Sequence, residues 1–179
     1  MDQRSSASNL LTASPTAVNW MVTVTESLPD CPSVQAGWEK IATQSKWGTW
    51  RSASKMRGQG IVTRVLPPAT EPLQAGDEYL VKVGRFLTIR CHVVESSVPG
   101  DAADEHEKMV FDAIGVALGG IVKARFRFSL FRDEGGMVVA QAQERIVSLP
   151  CFVPAAKTLE NEHRHTFRDL NKSFLPQPR

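Results

Sequence analysis

The 179-residue chain has three cysteines, a single tyrosine and no apolar run long enough to cross a bilayer, and each shortage closes off a class of protein. Cys31, Cys91 and Cys151 are odd in number and share no C-x-x-C spacing, which argues against a disulfide framework and against a cysteine zinc site. Free thiols of this kind suit a reducing, cytoplasmic setting. No segment reaches the roughly 18 consecutive apolar residues of a membrane span. Residues 1–16 are rich in Ser, Ala and Thr but have neither a basic start nor an apolar centre, so they do not read as a secretory signal. A formal net charge of only +2 leaves no electrostatic footprint for nucleic acid. Metal and phosphate motifs are missing as well. His163 and His165 fall on different faces of a helix, and the apolar run Gly115–Gly120 lacks the lysine of a phosphate-binding loop. No metal and no cofactor are therefore expected, and no serine or cysteine sits in a nucleophile signature.

What is present is a 42% hydrophobic chain of one-domain size, patterned first with period two and then with period 3.6. Residues 1–17 read as a disordered tail and 18–179 as one domain. Val18–Glu26 alternates as a strand with Trp20, Val22 and Val24 on one face, and Trp20 and Trp38 are expected in the core. Asp30 is placed to cap a short helix, with Pro32 in its first turn and Val34, Trp38, Ile41 and Ala42 on one side, ending near Gln44. A bend, Trp47-Gly48-Thr49-Trp50, leads to a strand over Lys55–Leu66 that Pro67-Pro68 ends. Glu78–Val83 and Arg85–Glu95 follow as strands joined at Gly84.

An acidic loop, Pro99–Glu107, precedes a strand over Lys108–Ile114 and a wide glycine-bearing turn, Gly115–Gly120. Ala124, Phe126, Phe128 and Leu130 then alternate strictly with Arg125, Arg127 and Ser129, and Asp133-Glu134-Gly135-Gly136 turns that strand into Met137–Val147. Beyond Pro150 and Pro154 the spacing predicts a long helix over about 155–174. Its stripe is Ala156, Leu159, His163, Phe167, Leu170 and Phe174, so His163 points where the apolar residues point.

Gly37-Trp38-Glu39-Lys40-Ile41, the Trp47–Trp50 bend, Leu73-Gln74-Ala75-Gly76-Asp77-Glu78, Arg90-Cys91-His92-Val93-Val94-Glu95 and the Ala124–Arg145 hairpin together resemble the helix-grip fold of the START-like, or SRPBCC, superfamily. The nearest flavour is its polyketide cyclase/dehydrase-like branch. The resemblance spans roughly Val18–Phe174 and implies an α+β architecture: a strongly curved antiparallel sheet wrapped around a long C-terminal helix, with an internal apolar cavity. It further implies an apolar small-molecule partner, polyketide-like or aromatic, and members that carry such ligands or catalyse cyclisation, dehydration or isomerisation without a cofactor. A monomer or homodimer is expected. The superfamily has no shared catalytic motif, so the candidates rest on the residues themselves.

Cofactor-free chemistry of this kind needs a shaped cavity, one acid/base group and a donor for a developing oxyanion. Polar residues on the inward stripes are the candidates. His163 can exchange a proton near neutrality, or can be a helix histidine hydrogen-bonded to a strand. Glu144, on the stripe of Val138, Ala140, Ala142 and Ile146, is a base, a group that orients His163, or half of a salt bridge to an arginine. Tyr79, with Val81 beside it on the strand, is a hydroxyl donor or an amphipathic wall residue. Ile89 and Cys91 on one strand, Phe126 and Phe128 on another, and Leu159 and Phe167 on the helix are the expected apolar lining. Trp47, Trp50 and Arg51 either stack on a planar ligand at the pocket entrance or close that end structurally. Asp112 shares a face with Val110 and Ile114, and is either a lumen carboxylate or a sign that the phase is reversed there. Arg90, Arg125 and Arg127 fall on solvated stripes.

Overall fold

A computed structural model describes residues 18–51, 61–65, 71–83, 87–97, 108–149 and 156–176. The elements are β1 (Val18–Ser27), α1 (Val34–Ala42), a 3-10 turn (Gln44–Lys46), the single helical turn α2 (Trp47–Trp50), β2 (Ile61–Val65), β3 (Glu78–Val83), β4 (Leu87–Ser96), β5 (Lys108–Ala117), a second 3-10 turn (Leu118–Gly120), β6 (Val122–Arg132), β7 (Val138–Ser148) and α3 (Ala156–Lys172). The expected amino-terminal tail, most of the Lys55–Leu66 strand with its Pro67-Pro68 stop, the turn at Gly84, the acidic loop at 99–107 and the prolines at 150 and 154 lie outside the described residues. No described helix is long and apolar enough to cross a membrane.

The strands form one curved sheet in the order β1-β7-β6-β5-β4-β3-β2, every neighbouring pair antiparallel. Its inner face is a continuous apolar stripe: Val22 and Val24 on β1, Ala140 and Ala142 on β7, Phe128 and Leu130 on β6, Phe111 and Ala113 on β5, Cys91 and Val93 on β4 and Tyr79 on β3 are all buried. Alternation along each strand sends these side chains to one side, so helix α3 has a single face to cover. It does so with Leu159, His163, Thr166, Phe167 and Leu170. Phe128 meets Phe167 edge-on at 6.3 Å between ring centroids, which locks the helix over the centre of the sheet.

Helix α1 packs on β5 and β6 through Trp38, 1% exposed, whose Nε1–H donates to the Val110 carbonyl at 3.3 Å. Gly37 makes this approach possible, because a Cβ there would sit 2.5 Å from Leu130 Cδ2. The cap is Ser33 rather than Asp30: the Ser33 hydroxyl accepts from the Ala36 N–H at 3.1 Å. Asp30 is occupied elsewhere. Its carboxylate accepts from Asn171 Nδ2 at 2.6 Å, and its own N–H donates back to Asn171 Oδ1 at 2.9 Å, which pins the β1–α1 loop to the end of α3.

Three further expectations are corrected. Trp20 is 39% exposed rather than core, since β1 is an edge strand and leaves one flank of the indole open. The tryptophan bend is a helical turn, with the Arg51 N–H closing on the Trp47 carbonyl at 2.9 Å. Strand β5 runs on through Gly115 to Ala117, so the glycine turn shrinks to Leu118–Gly120, where all three residues have positive φ. Gly115 is a strand residue for a packing reason. A Cβ on it would approach Ile89 Cγ2 to 2.6 Å and Phe126 Cε2 to 3.1 Å.

Candidate functional site

Strand β7 carries one carboxylate on its inward stripe, Glu144, set between Ala142 and Ile146 and facing Val22 on β1 and Phe126 on β6. Helix α3 brings one imidazole to the same place. His163 Nε2 and Glu144 Oε2 are 2.7 Å apart, with side chains only 9% and 8% exposed. The ring of Phe128 stands edge-on to the imidazole at 5.9 Å between centroids. The two polar groups thus face each other inside an apolar shell, where electrostatic interactions are stronger than in water. When Glu144 accepts the Nε2–H, the imidazole presents its Nδ1 lone pair, the arrangement that orients a general base.

Tyr79 is 2% exposed and pairs in register with Cys91 on β4. Burial, reinforced by the neighbouring Cys91 thiol, raises the phenol well above its usual pKa. It is therefore a neutral hydroxyl rather than a phenolate throughout the physiological range. Cys91 is pushed up to about 12, first by burial, with Glu144 adding to the effect and Tyr79 opposing it. A thiol so far from its thiolate form is inert as a nucleophile.

On the side of the short helix α2, Arg51 lies over the Trp47 ring at 4.6 Å from the centroid, and its Nη2 donates to Thr166 Oγ1 on α3 at 3.0 Å. Trp47 itself donates from Nε1 to the Ile41 carbonyl at 2.9 Å and is 8% exposed. Arg51 as a whole is half-buried, yet its Nε is enclosed and has no acceptor among the described residues. Burial pulls its pKa down, and Glu162, Glu144, Asp169 and Tyr79 act against that shift. Trp50 Nε1 is likewise enclosed without an acceptor among the described residues, and the indole packs partly buried against the core.

Among the expected lining residues, Ile89, Cys91, Phe128, Leu159 and Phe167 are buried on the inner face, while Val81 and Phe126 are partly buried against the same core. Asp112 is not there. It is completely buried on the opposite face, where Arg125 grips it with Nε on Oδ1 at 3.0 Å and Nη2 on Oδ2 at 2.7 Å, and Arg127 adds Nη1 on Oδ2 at 3.3 Å. Arg127 also reaches Glu95 at 3.4 Å. The expectation that Asp112 touches a ligand in the lumen is thereby corrected: the phase of β5 is the reversed one, with Phe111, Ala113 and Gly115 inward. The same contacts correct the reading of Arg125 and Arg127 as merely solvated, since both are half-buried in ion pairs.

Thr166 is the site residue that the sequence pattern passes over. It lies three residues after His163 and four before Leu170, on the flank of the buried stripe, and tracing the stripe by apolar residues and His163 alone omits it. The described residues contain no cluster of His, Cys, Asp and Glu able to hold a metal ion.

No family model and no curated protein matches the chain. Solved structures do share its architecture. A hypothetical protein from Helicobacter pylori superposes with a TM-score of 0.62 at 10% identity, covering 89% of this chain and 88% of its own. The ginseng major latex-like protein 151 from Panax ginseng gives a TM-score of 0.55 at 10% identity, with 89% and 99% covered. Truncated norcoclaurine synthase from Thalictrum flavum gives 0.52 at 12% identity, with 93% and 100% covered. At such identities the likeness speaks for the fold alone, and the fold it establishes is the helix grip: a curved antiparallel sheet closed over a long C-terminal helix.

Proposed function

We propose that the protein binds an apolar, oxygenated small molecule between the sheet and α3 and transforms it by cofactor-independent acid–base catalysis: dehydration, cyclisation or isomerisation of a polyketide-like or aromatic metabolite. The observation that carries this reading is the buried 2.7 Å contact between His163 and Glu144. A lone imidazole–carboxylate pair within an apolar shell is costly to bury for packing alone, whereas a base oriented by a carboxylate is what proton abstraction requires. In this scheme Glu144 fixes the tautomer of His163, and Nδ1 removes a proton from a carbon next to a substrate carbonyl. The carbonyl oxygen takes up the charge, and Tyr79 is the hydroxyl donor available within the lining. Expulsion of a β-hydroxyl as water, attack on a second carbonyl, or return of the proton to another carbon gives the three outcomes. The fold shared with a named synthase supports small-molecule chemistry in such an interior.

A second reading is a carrier in a cytoplasmic setting, acting as a monomer or homodimer. The preponderance of apolar residues on the inner face favours it. Mass spectrometry of the natively purified protein identifies the bound molecule, and incubation with that molecule or its precursor separates the two readings. The enzyme reading expects conversion that falls by roughly 10²–10⁴ in His163→Ala and in Glu144→Gln. Folded variants that both keep wild-type turnover, or a ligand recovered unaltered with every related precursor, would leave the carrier.

A further inference from the structure

The two turns at the ends of β6 both use glycine in the left-handed region, and they are finished differently. Asp133-Glu134-Gly135-Gly136 leads into β7 with Gly136 at φ 79°, and the Asp133 carboxylate accepts from the Gly135 and Met137 N–H groups at 3.0 and 2.8 Å. Leu118-Gly119-Gly120-Ile121 leads out of β5 with φ of 50°, 64° and 94° at its first three residues, closed by the Ile121 N–H on the Leu118 carbonyl at 3.3 Å. This second turn has no polar side chain. A leucine is strained in the left-handed region, where an asparagine sits at less cost. Leu118 is also 44% exposed and Ile121 47%, so the turn combines strain with wetted apolar surface, and neither serves the core.

The surroundings repeat the pattern. Ala117 pairs with Val122, Lys123 with Val147 and Val18 with Ser148, so the turn shares one end of the sheet with the start of β1 and the finish of β7. Among the described residues eight large hydrophobic side chains are exposed, and six lie at that end: Leu118, Ile121 and Leu149 beyond the last pairs, and Val116, Trp20 and Met21 within three residues of them. Only cations accompany them. Residues 18–25, 113–132 and 145–149, the segments that meet there, contain no Asp or Glu. Lys123 runs beside the turn, its Cε 3.9 Å from where a Cβ on Gly120 would stand. Exposed Arg145 donates from Nε to the neutral Asn19 side chain at 3.0 Å. Helix α3 starts at the same end, because it passes Asp30 at Asn171, Glu26 at Arg164 and Glu144 at His163, and its first turn presents the exposed Lys157.

Clustered apolar side chains on a turn and on strand ends, ringed by cations and free of acids, have the chemistry of a lipid headgroup layer: aliphatic groups enter it and ammonium and guanidinium groups meet its phosphates. We propose that the protein docks reversibly on an anionic lipid surface through the Leu118–Ile121 turn, with Leu149 and Trp20 beside it and Lys123, Arg145 and Lys157 on the lipid phosphates. The acidic turn at the far end of β6 faces away from that surface. The docking stands apart from the chemistry assigned to His163.

The full chain is sedimented with vesicles of phosphatidylcholine alone and with vesicles of phosphatidylserine and phosphatidylcholine in equal parts. Binding to the mixed vesicles should be tighter by at least about tenfold and should fall in molar salt. Leu118→Asn is the decisive variant, because it relieves the backbone while removing the apolar side chain. It should weaken vesicle binding by about tenfold while thermal stability is unchanged or higher. Ile121→Asn should weaken binding to a similar degree, and Lys123→Gln should mainly reduce the preference for the mixed vesicles. No sedimentation with either vesicle, equal sedimentation with both, or a Leu118→Asn protein that binds as the wild type does overturns the proposal. A lower melting temperature in Leu118→Asn would assign Leu118 to the fold, and a lipid-free dimer that this variant dissociates would assign the patch to a second copy; either result also overturns it. The inner site is untouched by any of these outcomes.

Discussion

Asp112 and Glu144 are two buried carboxylates on strands two apart in one sheet, and they lead opposite lives. Asp112, on the outer face, receives three arginine N–H groups between 2.7 and 3.3 Å, and its partners converge from β6 alone. Glu144, on the inner face, meets one described partner, an imidazole that keeps a second ring nitrogen for other business. The difference is one of saturation. A carboxylate whose lone pairs are filled by fixed cations is a structural staple, and one held by an imidazole is the arrangement on which the proposed chemistry rests. Burial alone does not distinguish them.

This contrast can be broken by mutation, and the largest effect is expected on stability at the outer carboxylate. Asp112→Asn leaves Arg125 and Arg127 without their anion and should lower the free energy of unfolding by about 2–3 kcal/mol, less than for a fully buried pair because both arginines are half exposed. Urea denaturation monitored by tryptophan fluorescence measures it, and binding of an apolar probe should be unaffected. A loss confined to ligand binding would reverse the roles assigned to the two faces.

A smaller effect is expected from filling the inner face near Tyr79 and Cys91. Gly115→Ala places a methyl against Ile89, Phe126 and Cys91, the nearest atom at 2.6 Å, and should cost about 1–2 kcal/mol as the neighbours give way. The same methyl should weaken probe binding. Thermal unfolding and probe titration together check it, and a Gly115→Ala protein as stable as the wild type would mean that Ile89 has room to turn aside.

The smallest effect sharpens the inner face alone. The folded state holds Cys91 near 12 against an ordinary thiol value of 9.0, so it keeps a proton that the unfolded chain releases. Stability from this group is complete below about pH 9 and is lost as pH rises towards 12, amounting to roughly 1 kcal/mol by about pH 10. Tyr79, also raised, adds to the decline in the same direction. Denaturation curves at pH 8 and pH 10, compared with those of Cys91→Ala, isolate the thiol's share; identical losses in both proteins would remove Cys91 as a cause.

Strict alternation in β6 and the apolar stripe of α3 were legible because each element has one buried and one wet side, and period then names the face. His163 and Glu144 could be found on inward stripes for that reason. Strand β5 defeats the same logic, since Met109 to Gly115 are buried on both sides, and Asp112 falls with Val110 and Ile114 whichever face is chosen. The irregular register between Val93 and Glu95 is a second case. Simple alternation keeps Glu95 with Val93 inside, and the bulge turns it out opposite Asp112, where it meets Arg127. The Arg51–Thr166 contact had no local signal at all, because it joins residues 115 apart in sequence.

The pairing of β1 with β7 has a consequence in time. Val18 lies opposite Ser148, so among the described residues β1 finds its one sheet neighbour in β7, with five other strands between them in the sequence. Closing so long a loop is entropically expensive and is repaid only when the hairpin of β6 and β7 already exists to receive the strand. On a ribosome, β1 waits until β7 has been made, with Val22 and Val24 uncovered, and α3 follows β7 in the chain. The candidate site, drawn from α2, β7 and α3, accordingly forms only after β7 has closed the sheet onto β1.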